Sequence, residues 1–513
     1  MNSTALKSLI VYGLCLPVAI LLGILLGDPL SFSSLGFVSL LLFLLVFPFI
    51  IKWHYALVLL SWNMTLSGIY LLPGSPSVWL LLICLSFGMA IFERALIRES
   101  SFVTVPTIIW PLLFLAIVVL ITAKLNGGFG FHSLGSDVYG GKKYVYLLAG
   151  IASYFVLTSR SIPLEKAPLY VGLFFLGGLT NAIGDLYPIT PRPLQFIFWF
   201  FPPVSAIEAG DFGMTRLRGV GSAGFVFFCW MLIRYGIRGL FLSQKPGRLF
   251  VFFAVTVVSF LGGFRSTLLA MVLLFSIQFF LEGLHRTRLL PVLFFTAALG
   301  FFSIIPVASK LPFSFQRVLA IFPAEVLHID RMARLSAEDS SRWRLDLWES
   351  LLPQVPRHLL LGKGYTISQE DFQMIGRNVS FKALDASQRG LALSYDYHNG
   401  PLSVIIPFGI WGAFGFCWFM AVAIWILIRN YRYGDPTLKI INSFLLAAFV
   451  QKTLMFCTVY GAFDSNIATF VGYVGLSVAL NKGVRRKSAV SELAATERSL
   501  NSKFLPLRPS FQR

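Results

Sequence analysis

The sequence predicts an all-α, polytopic integral membrane protein with about 12–14 transmembrane helices and one large extramembrane loop. Three observations carry that prediction. The 513 residues are 56% hydrophobic and only 13% charged, with a mean hydropathy of +0.76, whereas soluble domains carry about a quarter charged residues. Apolar runs of about 17–20 residues recur along the chain, each long enough to cross a ~30 Å hydrocarbon core as helix. One long polar segment, from about Lys310 to Asp396, stands between them.

The net charge of +19 fits cytoplasmic loop bias and contact with anionic lipid or diphosphate headgroups, and nucleic acid is not expected as a partner. Cys15, Cys84, Cys229, Cys417 and Cys457 all lie in apolar runs with no pair at metal-ligand spacing. They read as small core residues, and neither a disulfide nor a metal or cofactor site is expected.

About fourteen spans are expected, near 8–27, 35–51, 55–72, 77–92, 105–123, 143–158, 168–186, 220–240, 248–264, 266–281, 289–307, 398–428, 437–460 and 462–480. The first follows only Lys7 and shows no small-residue cleavage pattern, so it reads as a membrane helix. With the amino terminus inside, the inner short loops carry Arg94 and Arg98; Arg160 and Lys166; Arg234, Arg238, Lys245 and Arg248; Arg286 and Arg288; and Arg429, Arg432 and Lys439. The opposite short loops are poor in charge, so both termini are expected inside and the long loop outside. The chain then divides into amino-terminal helices (1–186), central helices with an outer re-entrant segment (187–308), the large outer loop (309–397), carboxy-terminal helices (398–480) and a basic tail (481–513). That tail reads as solvated and lying near anionic lipid. No internal repeat of fixed period is present.

Several charges sit where a bilayer disfavours them. Arg265, in LGGFRSTLLAM, interrupts an apolar stretch from Leu249 to Leu281 too long for one crossing. A turn near Gly262-Gly263 places Arg265 at the outer mouth of a hairpin, where it either snorkels to lipid phosphate or clamps a bound diphosphate bidentately. The segment 187–219 has a Pro-Pro pair and the acidic Glu208 and Asp211, so it reads as re-entrant or interfacial. Arg216 and Arg218 follow it; two apart on a helix they do not share a face, so at most one is expected to point at a ligand. Gln451 and Lys452 fall inside the thirteenth span, where the lysine either pairs with a carboxylate such as Asp464 or lines a cavity.

Within the long loop, AEDSSRWRLDLWESLLPQVPRHLLLGKGY reads as a helix capped by Ser340 or Ser341, with Trp343, Leu347 and Leu351 on one face and Pro353 and Pro356 ending it. Arg342 and Arg344 near its start can meet phosphate together with the helix amino terminus. Gly362-Lys363-Gly364 gives a tight turn and only a weak phosphate signal. His398 opens the next span, followed by Asn399, Gly400 and Pro401. An imidazole at that seam either anchors the interface or takes a proton from a sugar hydroxyl as general base, with Asp396 or Asp385 as alternative bases.

These pieces, in order, resemble the O-antigen ligase/O-antigen polymerase superfamily of bacterial inner-membrane glycosyltransferases. The resemblance rests on RLRG at 216–219, GGFRST at 262–267, SSRWRLDLW at 340–348, LLLGKGY at 359–365 and HNGPLSVIIPFGIWGAFGF at 398–416, the last with Gly409 and Gly412 as a Gly-x-x-Gly element. It implies metal-independent transfer, on the periplasmic face of the inner membrane, of a glycan from undecaprenyl diphosphate to a sugar hydroxyl. The acceptor is lipid A–core for a ligase or a second lipid-linked glycan for a polymerase. By the same resemblance His398 is the acceptor-activating base, Asn399 stands beside it in the substrate site, and Arg216 or Arg218, Arg265 and Arg342 hold the diphosphate. Partners are then the donor, the glycan acceptor, the bilayer and other proteins of envelope polysaccharide assembly. The competing classes are a lipid-linked glycan flippase or transporter, which needs charges along a central cavity, and a scaffold of an envelope complex.

Overall fold

The apolar runs fold as helices. The computed structural model describes residues 32–69, 75–96, 103–127, 141–203, 216–365 and 395–486, together with Leu72 and scattered positions between 12 and 23. Much of the expected first span, Glu208, Asp211 and Asp385, and most of the tail lie outside the described residues.

The chain forms two units, Met1–Leu57 and Val58–Arg513. The first ends within α1 (Phe32–Ser61), a 30-residue helix with Pro48 inside it. Two spans were expected over this stretch, at 35–51 and 55–72; the structure has one continuous helix, after which the chain leaves helical geometry at Trp62. His54 is buried within this helix, so a polar residue there does not mark a break.

The second unit continues with α2 (Val78–Leu96), α3 (Pro106–Leu125), α4 (Gly141–Thr158), α5 (Leu164–Gly184, with a short 3₁₀ start and a 3₁₀ interruption), α6 (Arg218–Phe241), α7 (Pro246–Gly262) and α8 (Arg265–Leu281). After α9 (Leu289–Lys310) come α10 (Phe313–Leu319), α11 (Arg331–Leu351) and α12 (Gln354–Arg357), then α13 (Gly400–Tyr433), α14 (Lys439–Thr458) and α15 (Phe463–Asn481). Among the described residues nine helices are long and apolar enough to cross a membrane, and α7 and α8 are shorter apolar helices that meet at the Gly262-Gly263 turn. These helices and their apolar faces make this an all-α polytopic membrane protein. Merging two expected spans into α1 removes one crossing, so an inside amino terminus followed by the expected first span no longer agrees with an inside loop at Arg94.

The interior of this unit lies around α14 and α15, the two most deeply buried of the spans, while α9 buries no residue fully over Leu289–Ile304. The core pairs are α15 on α4, α13 on α3 and α14 on α8. At one end of α13, α14 and α15, Asn430, Asn442 and Asn481 form a closed amide network. The Nδ2 of Asn430 donates to Ser477 Oγ at 3.0 Å, and Asn481 Nδ2 donates to Asn442 Oδ1 at 2.8 Å. All three asparagines are fully or almost fully buried, so each amide needs these partners.

Two helices are broken on purpose by glycine. Gly236 in α6 has φ 64° and ψ 173°, and Gly409 in α13 has φ 62° and ψ −158°, a region open almost only to glycine. Each break frees backbone groups that need new partners. At Gly236 the Glu282 carboxylate accepts from Ile237 N and Arg238 N at 2.9 and 3.0 Å. At Gly409 the partners come from the long loop. Ile410 N donates to Leu359 O at 2.6 Å, while Lys363 N and Gly364 N donate to Ile406 O and Pro407 O at 2.9 Å each. The Gly362-Lys363-Gly364 turn therefore docks the loop onto the break in α13, which accounts for its two glycines at φ +72°.

Candidate active site

The α7–α8 turn presents Arg265 as the first residue of α8, as the apolar run with its Gly-Gly pair predicts. Its guanidinium donates to Ala337 O and, at 2.9 Å, to Ser341 Oγ, both on α11. Around it lies a cleft of about 180 Å³ whose polar lining is Arg265, Ser266, Arg317, Ser340, Ser341 and Arg344, closed on one side by Val459 at the end of α14. Three guanidinium groups and three serines thus converge where three helices meet.

The helix that supplies most of them starts earlier than expected. Asp330, not Ser340 or Ser341, caps α11, its Oδ1 accepting from Met332 N at 2.7 Å. Ser340 and Ser341 are consequently mid-helix and turn their hydroxyls to the cleft, and the helix amino terminus is remote from it. Ala337, Ser341 and Arg344 recur at spacings of four and three, so they share the face toward Arg265. Arg342, expected among the phosphate ligands, is exposed and is not in the cleft lining; one residue beyond Ser341 it is turned about 100° away. Arg344 takes that place, and burial lowers its pKa from the ordinary value.

Arg216 and Arg218 act on the turn itself. Arg216 is almost fully buried; its Nε and Nη2 donate to Gly262 O at 3.3 and 3.2 Å, and its guanidinium lies 4.7 Å from the Phe264 ring centroid. Arg218, at the start of α6, lies 5.8 Å from the same ring. At most one of the two was expected to point at a ligand; both meet Phe264, and neither lines the cleft. Gly263, at φ +66°, has room only because it lacks a Cβ, which would stand 3.2 Å from Arg216 Nε.

His398 stands next to this face of α11. Its ring centroid is 5.2 Å from that of Trp343, and its Nδ1 lies 3.4 Å from Asp396 Oδ1. The imidazole is partly exposed. Burial and the nearby Arg344 lower its pKa, against an opposing pull from Asp396. The backbone here is held in unusual geometry, with φ of +57° at Tyr395 and +47° at His398. Trp348, four residues beyond Arg344, fixes it by donating from Nε1 to Tyr397 O at 2.9 Å. Asn399 is the amino-terminal cap of α13; its Oδ1 accepts from Leu402 N at 3.0 Å, which orients the helix behind the histidine.

Sequence reasoning missed the tyrosines beneath. Tyr365 N donates to Tyr144 Oη at 2.7 Å, and the Tyr365 and Tyr395 rings are 5.2 Å apart. Lys143 pairs with Asp464 at 3.0 Å and lies over Tyr365. Asp464 is therefore the partner of Lys143, whereas Lys452 places its ammonium over the Tyr460 ring at 5.2 Å. The tyrosines are separated by more than two hundred residues, and no local pattern announces their meeting.

The fold and the cleft together define a class: a helical membrane protein with a cationic cleft and a histidine just before a helix long and apolar enough to cross a membrane. Residues 249–417, from α7 through the first half of α13, match the family model described as O-antigen ligase. Over those residues the chain is similar to O-antigen ligases. The matched stretch contains Arg265, the whole of α11, His398 and the Gly409 break. No curated protein matches the chain.

Proposed function

We propose that the protein transfers a glycan from undecaprenyl diphosphate to a sugar hydroxyl on the periplasmic face of the bacterial inner membrane, with His398 as general base. The observation that carries this is the junction of Arg265, Arg317 and Arg344 in one cleft with His398 beside Arg344. A carboxylate opposite Nδ1 favours the ring proton on that nitrogen, which leaves Nε2 to accept the proton of the acceptor hydroxyl. The acceptor oxygen then bonds to the anomeric carbon as the bond from that carbon to the phosphate oxygen breaks. The departing diphosphate gains charge, and guanidinium groups fixed in advance stabilise it without reorganising. Arg265 and Arg344 are its principal ligands in this reading, while Arg216 and Arg218 hold the turn that aims Arg265.

Both termini of α13–α15 fit this orientation, with the basic α13–α14 connection inside and the cleft outside. Lipid A–core as acceptor makes the protein a ligase, and a second lipid-linked glycan makes it a polymerase. The test is the envelope glycan profile of a deletion strain complemented with wild type or His398→Ala at matched protein level. Loss of a positioned base costs about 10²–10⁴-fold, so His398→Ala is expected to match the deletion. Long chains accumulating on the polyprenyl carrier identify a ligase, and single repeats a polymerase. A wild-type profile from His398→Ala overturns the assignment of the base.

A further inference from the structure

At the end of α3 and α4 remote from the cleft lies a second cavity, of about 330 Å³, between α2, α3 and α4. Its walls are apolar, with Phe87 and Ile91 from α2, Ile109 from α3 and Phe155 from α4. Four polar groups, Thr158 among them, break that lining. Arg94 closes the α2 side in the last turn of the helix. Thr104 stands just before α3. Tyr154 is 1% exposed, and its hydroxyl has no hydrogen-bond partner among the described residues. The neighbouring Thr158 hydroxyl donates to the Tyr154 carbonyl at 2.9 Å and makes no bond to the phenol.

A buried phenol without an acceptor is costly, and an apolar cavity of this size with one orphan donor and one cation has the chemistry of an amphiphile's binding site. The position identifies which amphiphile. Tyr144, on the same helix, touches Tyr365 beside the catalytic cleft, and ten residues at ~1.5 Å each put Tyr154 about 15 Å further along α4. The Arg94 end is also where Arg160 pairs with Glu93, in the loops whose basic residues mark the cytoplasmic side. A donor bound at the cleft has its diphosphate at the other end of these helices, so this cavity faces a different leaflet.

We propose that the α2–α3–α4 groove is a binding site for an anionic phospholipid of the cytoplasmic leaflet. The lipid phosphate sits against Arg94, an acyl chain fills the space between Phe87, Ile91 and Ile109, and an ester carbonyl accepts from Tyr154 Oη. Basic pockets between helices on this side of a membrane favour such headgroups, with each cation contributing about 1 kcal/mol.

The experiment is native mass spectrometry of the full chain in detergent with equimolar phosphatidylglycerol and phosphatidylcholine of identical acyl chains. The wild type is expected to retain phosphatidylglycerol preferentially. Arg94→Ala should lose about fivefold of that preference, the equivalent of one cation. Tyr154→Phe, which removes only the hydroxyl, should retain less of both lipids. Ile109→Trp, which fills the groove, should retain neither, and circular dichroism checks that each variant keeps its helices. Equal retention of the two lipids by the wild type, or unchanged retention in both Tyr154→Phe and Ile109→Trp, overturns the proposal. Preferential retention of a polyprenyl phosphate added in place of phosphatidylglycerol assigns the groove to the donor's lipid and overturns it as well.

Discussion

His398 holds its imidazole on a left-handed backbone at φ +47°, a conformation that costs a bulky residue about 1–3 kcal/mol. Trp348 binding Tyr397 O and the Asn399 cap hold the two sides of this segment, so the strain is imposed by the surroundings. The environment also sets its protonation. Burial and Arg344 lower the pKa while Asp396 raises it, with a net fall from the ordinary value. The neutral form needed by a base therefore persists to lower pH than in a free imidazole, and the acid limb of the rate profile should lie below about 6.5. Removing the raising influence with Asp396→Asn should move that limb to still lower pH. Removing the lowering one with Arg344→Ala should move it upward, whatever happens to the maximal rate. Rate against pH for glycan transfer by the purified protein checks both signs; coincident limbs in all three proteins would mean that another group is the base.

Gly409 joins the loop to the membrane helices, and its Cβ, if it had one, would stand 2.6 Å from Leu359 O and 2.9 Å from Leu360 O. Gly409→Ala should therefore undock the Leu359–Gly364 segment and destabilise the fold by roughly 2–3 kcal/mol. Detergent-solubilised melting curves read this directly, and an unchanged Tm would show that the loop is anchored elsewhere. The sequence made this element legible only in part. The apolar runs announced nearly every helix, and the Gly262-Gly263 pair announced the turn before Arg265, because those signals are local. The glycines at 362, 364, 409 and 412 were visible too, but their meaning is a tertiary one: two glycine clusters forty-five residues apart complete one set of hydrogen bonds. The same limit explains α11. Serine before an arginine-rich stretch looks like a cap, yet Asp330 starts the helix ten residues earlier. With the register set there, Arg344 and not Arg342 reaches the cleft.

Across the whole second unit, each catalytic candidate sits at one end of the helices and the asparagine network at the other. Arg265 begins α8, His398 precedes α13, and Lys143 and Asp464 lie in the first turns of α4 and α15. Asn430 and Asn481 sit in the last turns of α13 and α15, and Asn442 in the first turn of α14. A flippase needs charge distributed along its path, because its cargo must be solvated at each depth; here the cations of the cleft are collected at a single level. That arrangement makes sidedness the decisive property of the molecule. With the five native cysteines replaced by serine, a cysteine at Ser309, just before the loop, should react with a membrane-impermeant maleimide added to spheroplasts. A cysteine at Thr287, in the connection between α8 and α9, should react only after the membrane is opened. The reverse pattern would put the cleft in the cytoplasm, where a periplasmic acceptor cannot reach His398, and the transfer reaction proposed for it would fail on geography alone.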